Sequence, residues 1–81
     1  MKVKILLFAH LKEAYGSGDF WLDMPAASTI QDAVSRVMGE KKLSSFKNMP
    51  LRFAVNEEFR YETQTLNDHD SLAFLSPMAG G

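Results

Sequence analysis

The chain has 81 residues, 46% of them hydrophobic and 23% charged, and its nine basic and ten acidic residues leave a formal charge of −1. These figures fit one domain of ordinary globular composition. They exclude a wholly disordered chain, and they argue against a dedicated nucleic-acid binder with its basic excess. The longest apolar runs, Ile5 to Ala9 and Leu72 to Leu75, fall far short of the roughly 20 residues that a membrane span needs. The apolar stretch behind Lys2 and Lys4 is also too short for a secretory signal, so a cytoplasmic location is expected. There is no cysteine, which excludes disulfides, iron–sulfur ligation, thiolate zinc and cysteine nucleophiles together. The two histidines, His10 and His69, lie far apart in sequence, and no metal site is expected.

Residues 2 to 9 alternate, with Val3, Ile5 and Leu7 on one side and Lys4, Leu6 and Phe8 on the other. This predicts a strand whose second face also turns apolar, and so an interior one. Residues 10 to 15 can form a short helical turn, stopped at Gly16 and Gly18. A second strand spans Asp19 to Met24, with Phe20, Leu22 and Met24 on one face, and Pro25 ends it. Ile30, Ala33, Val34, Val37 and Met38 make one apolar stripe at helical spacing, predicting a helix over 29–38. Ser28 with Gln31 reads as its capping box, and Gly39 suits a left-handed position past its end. Residues 40 to 49 form a polar connection with a turn of helix near Leu43 to Phe46. Leu51, Phe53 and Val55 alternate in a third strand. A turn at Asn56-Glu57-Glu58 leads to a short fourth strand, Phe59 to Tyr61. A further turn at Leu66 to Asp70 leads into Ser71 to Leu75, which is apolar on both faces and should be central.

Strand, strand, helix and three strands make an α+β protein: a mixed sheet of four to five strands packed on one main helix. Placing the first and last strands side by side in the middle, parallel, gives the β-grasp, or ubiquitin-like, arrangement. Residues 1 to 75 would form that domain and residues 76 to 81 a flexible tail. A core of this size is modest, so stability should be marginal unless a partner adds buried surface.

Few side chains suggest chemistry. Gly16-Ser17-Gly18 lacks the strand-to-helix context of a phosphate loop. Asp68-His69-Asp70 resembles an acid–base or metal cluster, but adjacent residues rarely converge on one point, and turn chemistry explains them. Glu57-Glu58 reads as a solvated hairpin. The remaining feature is the Gly80-Gly81 terminus. At a glycine frequency of roughly 7%, such a pair ends about one chain in 200 by chance. Here it follows a central strand, a proline and Ala79. Two residues without a Cβ can thread a narrow channel and present the terminal carboxylate inside another protein. A carboxylate is a poor electrophile. Attack on the α-phosphate of ATP would convert it to an acyl adenylate, open to a sulfur nucleophile or to a lysine amine.

Three segments together carry a resemblance: the opening Val3 to Glu13, with Phe8-Ala9-His10-Leu11-Lys12-Glu13; the middle, with Thr29 to Val34 and Ala54-Val55-Asn56-Glu57-Glu58; and the end, Leu66-Asn67-Asp68-His69-Asp70 through Pro77-Met78-Ala79-Gly80-Gly81. Over essentially its whole length the chain resembles the MoaD-type sulfur carriers, the small subunits of molybdopterin synthase. Two positions depart from the pattern. The family commonly has glycine where His69 stands, and often two prolines where Ser76-Pro77 stand.

The resemblance implies a non-catalytic carrier in molybdenum cofactor biosynthesis. Gly81 would be adenylated, converted to a thiocarboxylate, and would donate sulfur to cyclic pyranopterin monophosphate, with Gly80 helping the tail thread. No cofactor would be held permanently, since ATP and magnesium are used in trans by a ubiquitin-activating-like, MoeB-type adenylyltransferase. The other partner would be the MoaE-type large subunit, in a heterotetramer that carries the catalytic residues. Phe8, Lys12, Phe59, Leu75, Pro77, Met78 and Ala79 are the implied partner-binding residues. A ThiS-type carrier for thiazole synthesis, a ubiquitin-like modifier joined through Gly81 to lysines, and a plain interaction domain with an inert tail are the rival expectations.

Overall fold

A computed structural model describes residues Met1–Ser76. Its elements, in order, are β1 (Lys2–Leu7), α1 (Ala9–Tyr15), β2 (Asp19–Asp23), α2 (Ile30–Met38), a 3₁₀ helix (Lys41–Phe46), β3 (Arg52–Val55), β4 (Glu58–Arg60) and β5 (Ser71–Leu75). The five strands form one sheet in the order β2-β1-β5-β3-β4. β1 and β5 run parallel, with Ile5 opposite Leu72 and Leu7 opposite Phe74, and every other pairing is antiparallel. The expected β-grasp arrangement is therefore present, with the two most apolar strands adjacent at its centre.

The core lies on one side of the sheet only. Val3, Ile5 and Leu7 of β1 and Leu72 and Phe74 of β5 point into it, and Ile30, Ala33 and Val37 of α2 cover them. Leu11 from α1, Leu43 from the 3₁₀ helix and Leu66 from the last turn seal the margins. Phe53 meets Phe74 edge to face at 5.4 Å, a favoured aromatic geometry. Among the described residues no helix is long and apolar enough to cross a membrane.

Local chemistry sets the boundaries, and several differ from expectation. The capping box of α2 is formed by Thr29 and Asp32, not by Ser28 and Gln31. The Asp32 N–H donates to Thr29 Oγ1 at 3.3 Å, and the Thr29 N–H donates to Asp32 Oδ2 at 2.9 Å. The sequence contains two overlapping boxes one residue apart. A carboxylate at the positive end of the helix is favoured over an amide. Ser28 is instead buried, and its hydroxyl donates to the Pro25 carbonyl at 2.7 Å. Gly39 is right-handed (φ −75), because the chain leaves α2 directly into the turn that starts the 3₁₀ helix. β4 starts at Glu58 and ends at Arg60, one residue earlier than expected. Asn56 and Glu57, at φ 50 and 72, make a two-residue turn of the kind whose twist matches a hairpin.

The strand β1 stops at Leu7, short of Ala9. Phe8 is still extended, but Ala9 at φ 49 turns the chain off the ladder into α1. α1 is longer than a single turn and ends at Gly16, whose φ of 95 is the left-handed conformation glycine tolerates best.

Replacing Thr29 with alanine should cost about 1 kcal/mol of stability, and Asp32→Ala should also destabilise. Gln31→Ala, which removes only an exposed bond to Ser35, should leave the urea midpoint nearly unchanged. The reverse order would restore the cap to Ser28.

Candidate functional site

Because the helices cover one face of the sheet, the other face is open. The pairing register sets what that face presents, since directly paired residues share a face. Leu6 lies opposite Ala73, Ala73 opposite Ala54, and Ala54 opposite Phe59. This makes one apolar row across four strands. Leu75 follows two residues after Ala73, and Phe8 two after Leu6, so both reach the same face at the end where β5 finishes. Leu6, Phe8, Ala54, Phe59, Ala73 and Leu75, with Asn56, Glu57 and Ser71 among them, line a mainly apolar concavity of about 440 Å³. Two alanines form its floor, and the rings of Phe8 (47% exposed) and Phe59 (63%) stand at its walls.

Three of the sequence-predicted contact residues, Phe8, Phe59 and Leu75, are thus brought together by strands far apart in the chain. Ordinary core packing does not account for the two phenylalanines, which are among the most exposed large apolar side chains described. Lys12 does not line this concavity. Its aliphatic stem lies over Gly18, where an added Cβ would come within 3.0 Å of Lys12 Cε. Pro77, Met78, Ala79, Gly80 and Gly81 lie outside the described residues. Their origin is nonetheless fixed: β5, the central strand, ends at Leu75 on the rim of the concavity.

Sequence reasoning missed Leu6, Ala54 and Ala73 as part of this site. The alternation put Leu6 on the second face of β1, but only the register shows which neighbours complete it. It also passed over Trp21. That residue lies on the open face of β2, half-exposed, 5.8 Å from Lys4 Nζ and 5.9 Å from the His69 ring.

The turn reading of Asp68-His69-Asp70 holds. Asp68 Oδ1 accepts the Lys2 N–H at 2.7 Å. Asp70 accepts the Asn67 N–H at 2.8 Å and the Asn56 side-chain amide at 2.9 Å. The His69 N–H donates to the Lys2 carbonyl at 2.7 Å. These carboxylates therefore tie the last turn to β1 and to the β3–β4 hairpin. His69 itself has φ 69, a left-handed conformation that glycine tolerates best and that histidine adopts more readily than most side chains. Among the described residues no group of three His, Cys, Asp or Glu is placed to hold a metal ion.

The Lys2 N–H holds the Asp68 carboxyl below the usual carboxylate range. A slight loss of water opposes this, and the neighbouring His69 adds to the lowering. A depressed folded-state value stabilises the protein above the unfolded value, near 3.9, and that stability is lost as pH falls through the folded one. Thermal unfolding between pH 5 and pH 2 should therefore show the wild type losing stability more steeply than Asp68→Asn. Parallel curves would remove Asp68 from this role.

Comparison with known proteins adds to the geometry. The family model described as ThiS family matches residues 5–81. A molybdopterin synthase sulfur carrier subunit of Arabidopsis thaliana is 32% identical over all of this chain and 84% of its own length. The small archaeal modifier protein 1 of Haloferax volcanii has the same fold, with a TM-score of 0.80 at 21% identity over 94% of this chain and 97% of its own. A complex of subunits 1 and 2 of molybdopterin-converting factor from Helicobacter pylori contains a chain that matches with a TM-score of 0.72 at 20% identity, covering all of both chains.

Proposed function

The chain belongs to the ThiS family, and on that premise we propose that it is the sulfur carrier of a molybdopterin synthase, a protein whose folded body delivers its own C-terminal carboxyl group. The observation that carries this reading is positional. The segment leading to Gly81 grows from the central strand, beside the apolar concavity of Phe8, Phe59 and Leu75. Such a body can seat its open face on another protein while its last residues enter that protein's active site. The sequence likeness to the Arabidopsis carrier subunit extends over the whole chain, which supports the same role.

The chemistry follows from the poor reactivity of a carboxylate. A Gly81 carboxylate oxygen attacks the α-phosphorus of ATP, and pyrophosphate leaves. The resulting acyl adenylate has AMP as its leaving group. A sulfide-level sulfur nucleophile then adds to the carbonyl carbon and expels AMP, leaving the terminal thiocarboxylate. ATP and magnesium belong to the activating enzyme, of the MoeB type, and this chain contributes the acyl group alone. The thiocarboxylate then gives its sulfur to cyclic pyranopterin monophosphate in the pocket of a MoaE-type large subunit, with which the carrier forms a heterotetramer. The Helicobacter pylori complex of subunits 1 and 2 of molybdopterin-converting factor supports a partner subunit for this chain. The carrier in this reading is consumed and recharged, and the catalytic groups reside on the large subunit. Tail residues Pro77, Met78 and Ala79 would line the entry path, with Gly80 passing its narrowest point.

Incubation with ATP, magnesium, the activating enzyme and a sulfur donor should raise the intact mass by the difference between sulfur and oxygen. Covalent adducts with other proteins in place of that gain would favour the modifier reading, and transfer to a thiazole synthase the ThiS-type reading. Deleting Gly81 should abolish sulfur transfer while leaving the unfolding curve unchanged; retained transfer would return the tail to an inert role. Phe59→Ala should weaken docking to the large subunit by roughly tenfold or more, as expected for an exposed aromatic anchor. Its ring is mostly in water, so stability should move by no more than about 0.5 kcal/mol.

A further inference from the structure

The cations of the molecule are not equivalent. Lys2 pairs with Asp23 at 3.1 Å, Lys4 lies 3.9 Å from Asp19, and Arg60 pairs with Glu58. Among the described residues the Arg52 guanidinium has neither an ion pair nor a hydrogen bond, as is also true of the Lys12, Lys41 and Lys47 ammonium groups; what sets Arg52 apart is its place on the sheet. Arg52 is the register partner of Leu75, the last residue of β5, so its side chain stands on the open face directly beside the root of the tail. With Phe59, Arg60, Tyr61 and Glu62 it lines a second groove of about 480 Å³, which shares Phe59 with the apolar concavity.

We propose that Arg52 is a steering contact for the protein that receives the tail, and that this protein presents a carboxylate at the mouth of its channel. The inference rests on the tail-delivery reading above and adds to it the chemistry of the docking rim. A guanidinium is weakly hydrated and offers a planar fork that matches a carboxylate, so an arginine beside an apolar concavity, unpaired among the described residues, suits an acidic rim residue. Chain length separates that counter-ion from a nucleotide. Five residues follow Ser76, and a threaded tail carries the Gly81 carboxyl up to about 18 Å from the root. Arg52 therefore meets the entrance, while the phosphates of ATP lie at the far end. A rim charge of this kind acts on the rate of encounter more than on the lifetime of the complex.

The test is association kinetics of the full chain with the large subunit and, separately, with the adenylating enzyme. Arg52→Glu should lower the association rate constant about tenfold at low salt, with little change in dissociation, and Arg52→Lys should lower it less. The difference should shrink near 0.5 M salt, where the screening length is only about 4 Å. Matching circular dichroism and urea midpoints establish that the variants are folded. Unchanged low-salt association of Arg52→Glu, with Phe59→Ala still weakening the complex, overturns the role of Arg52 and spares the docking face. Unchanged binding of both variants overturns the docking face as well. An effect of Arg52→Glu seen only when ATP is bound to the adenylating enzyme assigns the guanidinium to a phosphate and overturns the carboxylate.

Discussion

The parallel ladder between β1 and β5 joins residues from opposite ends of the chain, and the remaining architecture follows from it. Ile5 against Leu72 and Leu7 against Phe74 make the middle of the core. Parallel strands cannot be joined by a tight turn, so everything between them becomes a crossover that must pack somewhere. α2 does so on one face, with its Ile30, Ala33 and Val37 stripe. The ladder also has a directional consequence. Both strands finish at the same edge of the molecule, so Phe8, leaving β1, and Leu75, ending β5, meet there. The root of the tail and the apolar concavity are neighbours for that reason.

Two interactions at the opposite end keep this ladder in register. Asp68 receives the Lys2 N–H, and His69 donates to the Lys2 carbonyl, so the turn before β5 is hydrogen-bonded to the start of β1. Asp70 extends the network to Asn56 in the β3–β4 hairpin. The price is a histidine held at φ 69, a conformation costing an L-residue roughly 1–2 kcal/mol. The bonds made on either side of it offset that cost. The charged residues of this turn are therefore structural, while the reactive group proposed for the molecule is a main-chain carboxyl at the far end.

Much of this was legible in the sequence because it is local. Alternation marked the strands, the helical stripe marked α2, and the two-faced apolar character of Ser71–Leu75 placed β5 in the centre. The glycine-like position of His69 followed from comparison with the family pattern. What was not legible depends on competition or on register. Ser28-Gln31 and Thr29-Asp32 are both reasonable boxes, and helix-dipole electrostatics favour the second. The concavity needs Leu6, Ala54 and Ala73 in one row, and no single segment shows that a leucine and two alanines from three strands will be adjacent. Arg52 was unremarkable in sequence for the same reason; its place beside Leu75 exists only across the β3–β5 pairing.

Trp21 has a practical bearing on the open face. It is the chain's one tryptophan, half in water, on the strand farthest from Phe59. An indole at that depth changes its emission when it is dried. A visitor that spans the sheet shifts the spectrum, and one confined to the hairpin side leaves it alone. The protein thus contains its own optical footprint marker, and the breadth of any complex on this surface can be measured without attaching a dye.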